Sequence, residues 1–564
     1  MIALQYHEAT KHYFNRFARS SGYLDWATQP DPFRRYGGAP CVELSREPIA
    51  AHVDVDALFD RSSEAVPMDS NSIADWLRCG MGLSAWKQYR DSRWALRVNP
   101  SSGNLHPTEA YLVNAEGVFH YAPREHVLEQ RTTLPAWSAY ARGRTGVLVA
   151  LTSIHWREAW KYGERAFRYC QHDTGHAIGA LAMSAARLGW TMRLLPRWSD
   201  VQIAALLGLD READFEGAEH EEPECIAVVT TDDPTSWIDD DPSPLVEAAH
   251  AGTWQGRANR LSSHHVEWSI IDGVAAATRY SGTASTSDPR PLNSRVECRA
   301  GASAFAMLRR TSRSRGGGWS APAGESTRRL PPPRGYGETA LYGDHTVTAR
   351  ELILRRRSAV AFDGRATLPR ERFLQMLTRV QPASVPWDAI DWDPQVHLIL
   401  FAHRVDGLTP GVYAYLRDAS VRDEWRRAMR SEFLWERVDD LDLLVPTDVS
   451  WAANRVSCDQ DIAGDGFFSL GMIARLRPSL MERGQWFYRR LFWECGLIGQ
   501  VLYLEAEAAG ARATGIGCFY DDAVHEVLGL SGDTWQSLYH FSMGMPVDDP
   551  RLTTEPGYPW EVGT

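Results

Sequence analysis

No apolar run in the 564-residue chain approaches the roughly 20 residues that a membrane-spanning helix needs. The stretch from Met1 to Phe17 mixes His, Glu, Lys and Arg with apolar residues and lacks the apolar segment of a secretory signal. The expectation is therefore a soluble, cytoplasmic protein without membrane partners. An excess of positive charge is also missing: 60 Lys+Arg stand against 72 Asp+Glu, a formal net charge of -12. That excludes a nucleic-acid binder whose affinity rests on neutralising phosphates. Cysteine is scarce, with eight residues at 41, 79, 170, 225, 298, 458, 495 and 518, and no C-x-x-C or zinc-type quartet. A chain this long needs no disulfide framework, so these cysteines read as core or incidental residues.

The length is enough for two to four domains with sizeable cores. The 22 Trp supply flat apolar surface for cores, interfaces or a planar cofactor, and composition does not choose among them. One stretch breaks the globular texture. Residues 281–337 are dense in Gly, Ser, Thr, Pro and Arg and show no apolar period, so they read as a linker. The expected organisation is a first domain over 1–280, the linker over 281–337 and a second domain over 338–564.

The two halves repeat each other. GERAFRYCQHDTGHAIGALAMSAARLG from Gly163 and GQWFYRRLFWECGLIGQVLYLEAEAAG from Gly484 superpose without a gap at an offset of 321. Arg168/Arg489, Asp173/Glu494, Gly175/Gly496 and Gly189/Gly510 coincide, and the same offset puts Leu207-Gly208-Leu209 on Leu528-Gly529-Leu530. Apolar matches arise between any two amphipathic helices, but coincident glycines at a constant offset point to internal duplication. Two like domains in one chain can pack as a covalent twofold dimer whose interface is free to become asymmetric. Long helices are expected over His172–Leu188 and Leu491–Ala509. Strand-like runs are TEAYLV, GVLVAL and CIAVVT in the first half and VHLILFAHRV, GVYAYL and LYHFSMG in the second. Interleaved helices and strands favour an α+β or α/β class.

Four segments carry candidate chemistry. Arg97 precedes the turn Pro100-Ser101-Ser102-Gly103, which offers hydroxyls and close backbone approach. Thr348 and Glu351 form a capping box opening a helix expected to carry Arg355, Arg356 and Arg357, with Ser358 beyond; guanidinium plus hydroxyl grips phosphate, although three arginines on a helix also describe a solvated face. Lys161-Tyr162 is an adjacent pair suited to acid–base work if buried, and otherwise surface plus packing. Gly515-Ile516-Gly517 permits backbone contact with a planar ring, or else caps a helix. His172 and His176, spaced i,i+4, offer a rival zinc-hydrolase reading, but Asp stands where that motif has Glu, and the aligned residues are Trp493 and Leu497.

Taken in order, these motifs resemble the FMN-dependent nitroreductase superfamily, specifically its SagB/ThcOx-type dehydrogenase branch. The resemblance starts at Tyr6-His-Glu-Ala-Thr-Lys-His12 and runs through LRVNPSSGNLHPTEAY, WKYGERAFRY, RRRSAVAFD and TGIGCFYDD to FSMGMPVDDPR. It implies two tandem nitroreductase-like domains, each an antiparallel central sheet flanked by helices, forming an intrachain pseudodimer that can dimerise further. It implies FMN held by residues of both halves: Arg356, Ser358, Gly515, Ile516, Gly517 and Arg551 from the second, and Arg97, Pro100, Ser101, Ser102 and Gly103 from the first. Lys161 and Tyr162 match a pair implicated in catalysis in azoline-oxidising relatives; no metal is expected.

The duplication then has a consequence. The first half has Leu194-Leu195-Pro196 where the second has Gly515-Ile516-Gly517, and the second has ProAlaSerValProTrp (382–387) where the first has its Pro-Ser-Ser turn. The offset partners of Lys161-Tyr162 are Glu482-Arg483. One complete composite site is thus expected, with one FMN per chain. The implied reaction is a two-electron dehydrogenation, with an azoline ring in a modified peptide as the expected substrate. An NAD(P)H-dependent nitro or quinone reductase and a non-catalytic flavin- or partner-binding descendant are the alternatives. Val360 stands where simple nitroreductases often place a basic residue near the flavin, which leaves Arg97 or another cation to take that role.

Overall fold

A computed structural model describes residues 1–282 and 347–561; the expected linker over 281–337 falls almost wholly outside the described residues. Each half builds a seven-stranded antiparallel sheet. The first runs, in spatial order, Cys41–Glu43, Val127–Thr132, Gly117–Ala122, Thr108–Asn114, Gly146–Ser153, Glu222–Thr230, Thr191–Leu194. The second runs Glu436–Val438, Leu441–Pro446, Gly411–Tyr415, Val396–Ala402, Phe468–Arg475, Trp535–Gly544, Arg512–Ile516. Six strands correspond one to one. The seventh differs in origin: Cys41–Glu43 comes from the N-terminal segment, whereas Glu436–Val438 is the hairpin partner of the strand it joins. The fold is α+β with an internal repeat, and all six strand-like runs of the sequence lie in these sheets.

The helices keep the offset of 321 to the residue. His155–Tyr162 matches Leu476–Arg483, Ala166–Arg187 matches Phe487–Ala508, and Asp200–Leu207 matches Asp521–Leu528. The last pair ends on Gly208 and Gly529, both left-handed at φ 71° and 76°, the conformation glycine adopts without strain. The long helices begin earlier than their apolar pattern predicts, at Ala166 and Phe487. Their first turns are buried on all sides, so polar residues there face partners instead of water and blur the amphipathic signal.

The two long helices cross at Gly175 and Gly496. A Cβ on Gly175 would lie 2.3 Å from the carbonyl oxygen of Trp493, and one on Gly496 would lie 2.3 Å from that of His172. Since 172 and 493 are themselves offset partners, the contact is reciprocal, as a twofold requires. Around it the ion pairs are reciprocal too. Arg168 Nη1 reaches Asp521 Oδ1 at 2.6 Å, and Arg489 Nη2 reaches Asp200 Oδ2 at 2.6 Å, all four side chains buried. Burial alone would push Asp521 up, but Arg165 and Arg168 together hold it well below the usual carboxylate range. The N-terminal segment is tied to the same place: the His12 amide donates to Asp521 Oδ2 and Lys11 pairs with Asp522, both at 2.8 Å. A three-stranded sheet adds a further link between halves, with Thr553–Pro556 joining the hairpin Leu83–Tyr89 and Ser92–Arg97.

A single methyl at the crossing tests this geometry. Gly496→Ala is expected to lower stability by about 1–3 kcal/mol or more, because the clash is with backbone that cannot swing away. Gly273→Ala, on a helix where the new Cβ meets nothing within 4 Å, should be neutral or stabilising. Denaturation midpoints of the two variants check this, and a Gly496→Ala protein as stable as the wild type would contradict the close crossing.

Candidate active site

The capping box at Thr348 forms as expected, with Thr348 Oγ1 accepting from the Glu351 amide and Glu351 reaching back, but the helix it opens ends at Arg355. Arg356 leaves in extended conformation at φ -50°, ψ 129°, so Arg356 and Arg357 do not sit on a solvated helix face. Ser358 then bridges to Ala513 of the edge strand, the Ala359 amide donating to the Ala513 carbonyl at 2.9 Å. This pins the arginine-x-serine segment alongside Gly515. Gly515-Ile516-Gly517 is the end of that strand and its exit, not the helix cap that was the other reading of it; the helix has already ended at Ala508. Both glycines are required by crowding: a Cβ would lie 1.8 Å from the Tyr539 hydroxyl at Gly515 and 2.1 Å from the Tyr169 ring at Gly517.

From the first half comes the turn between Ser92–Arg97 and Thr108–Asn114. Gly103, Asn104 and His106 are all left-handed, with φ of 60°, 60° and 54°. Side chains hold this unusual path: Ser101 Oγ accepts from the His106 amide at 2.8 Å, and Asn104 Nδ2 donates to the Ala95 carbonyl at 2.9 Å. The Ser102 amide and hydroxyl donate to Asp173 at 3.1 and 3.2 Å, fixing the turn to the first long helix.

These pieces meet around one cavity of about 440 Å³, within the roughly 300–1,000 Å³ range of small-molecule sites. Arg97, Pro100, Ser101, Ser102, Gly103, Tyr162, Arg356, Ser358, Gly515, Ile516 and Gly517 all line it. Lys161 stands just behind: a Cβ on Gly103 would lie 3.0 Å from Lys161 Nζ and 2.5 Å from the Tyr162 hydroxyl. Two of the named arginines have protein partners of their own. The Arg97 guanidinium bonds the carbonyls of Thr108 and Pro32 and packs over Phe33, with its Nε left without a partner. Arg551 does not line the cavity; it is exposed, pairs with Asp549 at 2.6 Å and lies over the Tyr89 ring.

Arg356, Arg357 and Lys87 contribute cations to the wall, beside the Ser358 hydroxyl. Burial and the neighbouring Arg356 push Arg357 down to about 9, and burial with Arg357 lowers Lys87. Arg356 Nη1 is buried without a hydrogen-bond partner. A group of cations that depress one another is relieved by an anion, and guanidinium with hydroxyl suits a phosphate. Tyr162, Tyr169 and Tyr539, the two glycines and Pro100 also line it, a set of flat and small surfaces suited to a planar ring. The Asn99 carbonyl oxygen and one ring nitrogen each of His106 and His176 are further buried polar atoms on the wall without partners. The donor set therefore fits a phosphate-bearing aromatic cofactor such as FMN.

Three wall residues escaped the sequence reading. Tyr503 accepts from the Gly515 amide at 2.9 Å, bonds Ser358 Oγ at 3.0 Å, and lies under the Arg356 guanidinium. Tyr169 packs on Tyr162 with ring centroids 4.4 Å apart. Asp173, which the sequence shows only as part of the repeat and of the histidine motif, is pushed up to about 7 by burial against the restraining bonds from Ser101 and Ser102. Glu158, close to it, is raised well above the carboxylate range by burial and by Asp173. As for the histidine pair itself, His172 Nε2 donates to the Leu538 carbonyl at 3.0 Å and the ring stacks on Tyr539, an arrangement of packing and not of ligation.

The pseudo-equivalent position is closed. Leu194 and Leu195 take the place of Gly515 and Ile516, and Arg490 and Trp493 take that of Tyr169 and His172. Arg490 is sandwiched among Tyr280, Trp392 and Trp486, with centroid distances of 5.0, 5.0 and 4.5 Å. What is left is about 20 Å³, room for about one water.

Residues 87–218 and 353–545, more than half of the chain, match the model of the nitroreductase family. The chain belongs to the nitroreductase family. By family it is an oxidoreductase, and the two matched stretches coincide with its two halves. A candidate nitroreductase from Anabaena variabilis shares the fold along nearly the whole length, at 19% identity over 97% of this chain and 99% of that one, with a TM-score of 0.63. Partial likenesses include a candidate nitroreductase from Ralstonia eutropha, at 15% identity over 37% of this chain and 95% of that one with a TM-score of 0.27. Another is the Escherichia coli microcin synthetase McbBCD complex with truncated pro-MccB17 bound, at 18% identity over 35% of this chain and 70% of that one with a TM-score of 0.26. None of the curated proteins compared with the chain matches it. No helix among the described residues is long and apolar enough to cross a membrane.

Asp173 offers a test of the site's electrostatics in flavin-free protein. Its folded-state titration near 7 lies above the unfolded value of about 3.9, so the folded state holds the proton more tightly and loses stability as pH rises between those values. Asp173→Asn keeps an acceptor for Ser102 and removes the ionisation. The variant is expected to gain on the wild type by up to a few kcal/mol at pH 8 and by nothing attributable to ionisation at pH 4. Chemical denaturation at the two pH values measures this, and an equal difference at both would mean that Asp173 does not titrate as assigned.

Proposed function

We propose that this nitroreductase-family chain is an FMN-dependent oxidoreductase that carries one FMN, in the composite cavity, and dehydrogenates its substrate by two electrons. The observation that carries the reading is the contrast between the two pseudo-equivalent positions: one is lined by a full set of phosphate- and ring-accommodating residues around about 440 Å³, the other is filled to about 20 Å³. Arg356 and Ser358 would hold the phosphate, with Arg357 and Lys87 adding charge. Gly515, Ile516 and Gly517 would border the ring from the second half, and Pro100, Ser101, Ser102 and Gly103 from the first. When bound, FMN supplies the two-electron acceptor.

The chain's own contribution to the reaction is proton handling and orientation. Lys161 and Tyr162 reach the turn at Gly103 from behind, where a lysine acts as the base for a proton beside a heteroatom. Burial and Glu158 raise Tyr162 well above the usual phenol range, so its hydroxyl stays a hydrogen-bond donor. Glu158 and Asp173, both raised, give the same corner groups able to keep a proton near neutral pH. A thiazoline or oxazoline ring in a modified peptide meets these requirements, because it has a C–H next to a heteroatom and gains aromatic stabilisation on oxidation.

Counting released flavin per chain tests the cofactor reading. One FMN is expected; two would contradict the closed pseudo-equivalent position, and none after adding FMN would favour a partner-binding descendant. Arg356→Ala should lower flavin occupancy, whereas Lys161→Ala should retain flavin and lose roughly 10²-fold or more in dehydrogenation rate. Unchanged turnover in Lys161→Ala would remove it from catalysis, and rapid bleaching of the flavin by NAD(P)H would point to a nitro or quinone reductase.

A further inference from the structure

Cys518 directly follows Gly517 on the cavity wall. Its sulfur lies 3.1 Å from Cys458 Sγ and 3.7 Å from His12 Nδ1. The sequence gives no hint of this, since the cysteines are 60 residues apart and the histidine comes from the N-terminal segment. Two loops bring the sulfurs together. The helix Ser450–Val456 ends, and Cys458 and Asp459 follow with φ of 57° each, two successive left-handed non-glycine residues that turn the Cys458 side chain toward the strand exit. Such strain persists only where surrounding structure holds it.

Here the restraint is visible. Gln460 Nε2 donates to the Ser457 carbonyl at 2.7 Å and to the Cys518 carbonyl at 2.9 Å. The Tyr520 amide donates to the Val456 carbonyl at 3.0 Å, and the Tyr520 hydroxyl donates to Asp459 at 3.0 Å. The two cysteine-bearing segments are therefore stitched together on both sides of the sulfur pair. Closing a bond asks the sulfurs to move from 3.1 Å to about 2.05 Å.

We propose that Cys458 and Cys518 are a redox-active dithiol, with Cys518 as the sulfur that meets a small organic disulfide entering the cavity. This assignment does not depend on the flavin reading; it uses only the admission of small molecules to the cavity. The environment suits the roles. The hydrogen bond shared with Cys458, then His12 and Arg165, outweigh burial and bring the Cys518 thiol down to about 5, while Cys458 is pushed up. The Cys518 thiolate attacks one sulfur of the disulfide RSSR, the S–S bond breaks, and RS⁻ leaves to take up a proton. Cys458, losing its proton, attacks the Cys518 sulfur of the mixed disulfide and expels the second RS⁻. The balance is one dithiol plus RSSR giving one protein disulfide and two RSH.

The same three donors lie within 4.8 Å of one another, as metal ligands do. The sulfur separation argues for the dithiol: two thiolates about 2.3 Å from one tetrahedral zinc stay roughly 3.7 Å apart, longer than the 3.1 Å found.

The test uses the full-length protein, reduced and then incubated without oxygen in bis-hydroxyethyl disulfide at graded ratios to its thiol. Alkylation and peptide mapping should find Cys458 and Cys518 joined in one bond, with the exposed Cys41 at most carrying a mixed disulfide. Cys458→Ser should instead trap a hydroxyethylthio group on Cys518, seen as added mass on that peptide. Absence of the bond in the wild-type protein at every ratio would overturn the proposal without reliance on any variant. So would one zinc per wild-type chain that both Cys458→Ser and Cys518→Ser release.

Discussion

The backbone contact at Gly175 and Gly496 is the constraint on which the rest of the molecule depends. Two helices of 22 residues each can approach this closely only where both lack a side chain, and each glycine meets the carbonyl three residues before its counterpart. The contact sets the pseudo-twofold axis. Everything reciprocal in the structure follows from it, including Arg168 on Asp521 and Arg489 on Asp200. It also decides what a site between the halves can be made of. Tyr169 on one long helix meets Gly517 and His176 meets Tyr539 of the opposite half, while Asp173 holds the turn of its own half, so the cavity between them draws on both halves.

A homodimer with this geometry carries two equal sites, because one sequence must serve both. Duplication within one chain removes that requirement. Glycines at 515 and 517 keep one position open, while leucines at 194 and 195 close the other. The closed side is not merely degraded. Arg490 is held among three aromatic rings and Arg489 completes a buried ion pair, so the volume left open on one side is occupied by packing on the other. A stretched, tryptophan-rich interface of this kind accounts for part of the aromatic content that composition alone left unassigned.

Much of this is legible in the sequence alone. The constant offset, the coincident glycines and the one-sided survival of Pro100-Ser101-Ser102 and Gly515-Ile516-Gly517 required only the alignment of the chain with itself. The strands were readable because buried sheet segments are apolar runs bounded by turns. What stayed hidden depended on contacts between distant segments. Tyr503 looks like one more apolar residue on a buried helix until Gly515 and Ser358 are brought to its hydroxyl. Arg97 adjoins the turn in the sequence, but that its guanidinium also bonds the carbonyls of Pro32 and Thr108 depends on segments far apart in the chain. Cys458 and Cys518 read as incidental because spacing along the chain says nothing about two loops tied by Gln460.

The cationic wall of the cavity bears on why the arginine-x-serine segment leaves its helix where it does. Had the helix continued past Arg355, Arg356 would have joined a row of cations facing water, where it would cost nothing and hold nothing. By turning extended it is carried into the interior, stacked on Tyr503 and bonded to the carbonyls of Arg97 and Val98 in the other half, at 3.2 Å each. Burying a guanidinium beside Arg357 is unfavourable unless a negative group completes it. The capping box at Thr348 fixes where the helix starts, and the bridge from Ser358 to Ala513 fixes where the segment must arrive. Between these two anchors Arg356, lowered by burial, keeps one nitrogen unpartnered while its Nε and Nη2 hold the carbonyls that lead into the first half's turn.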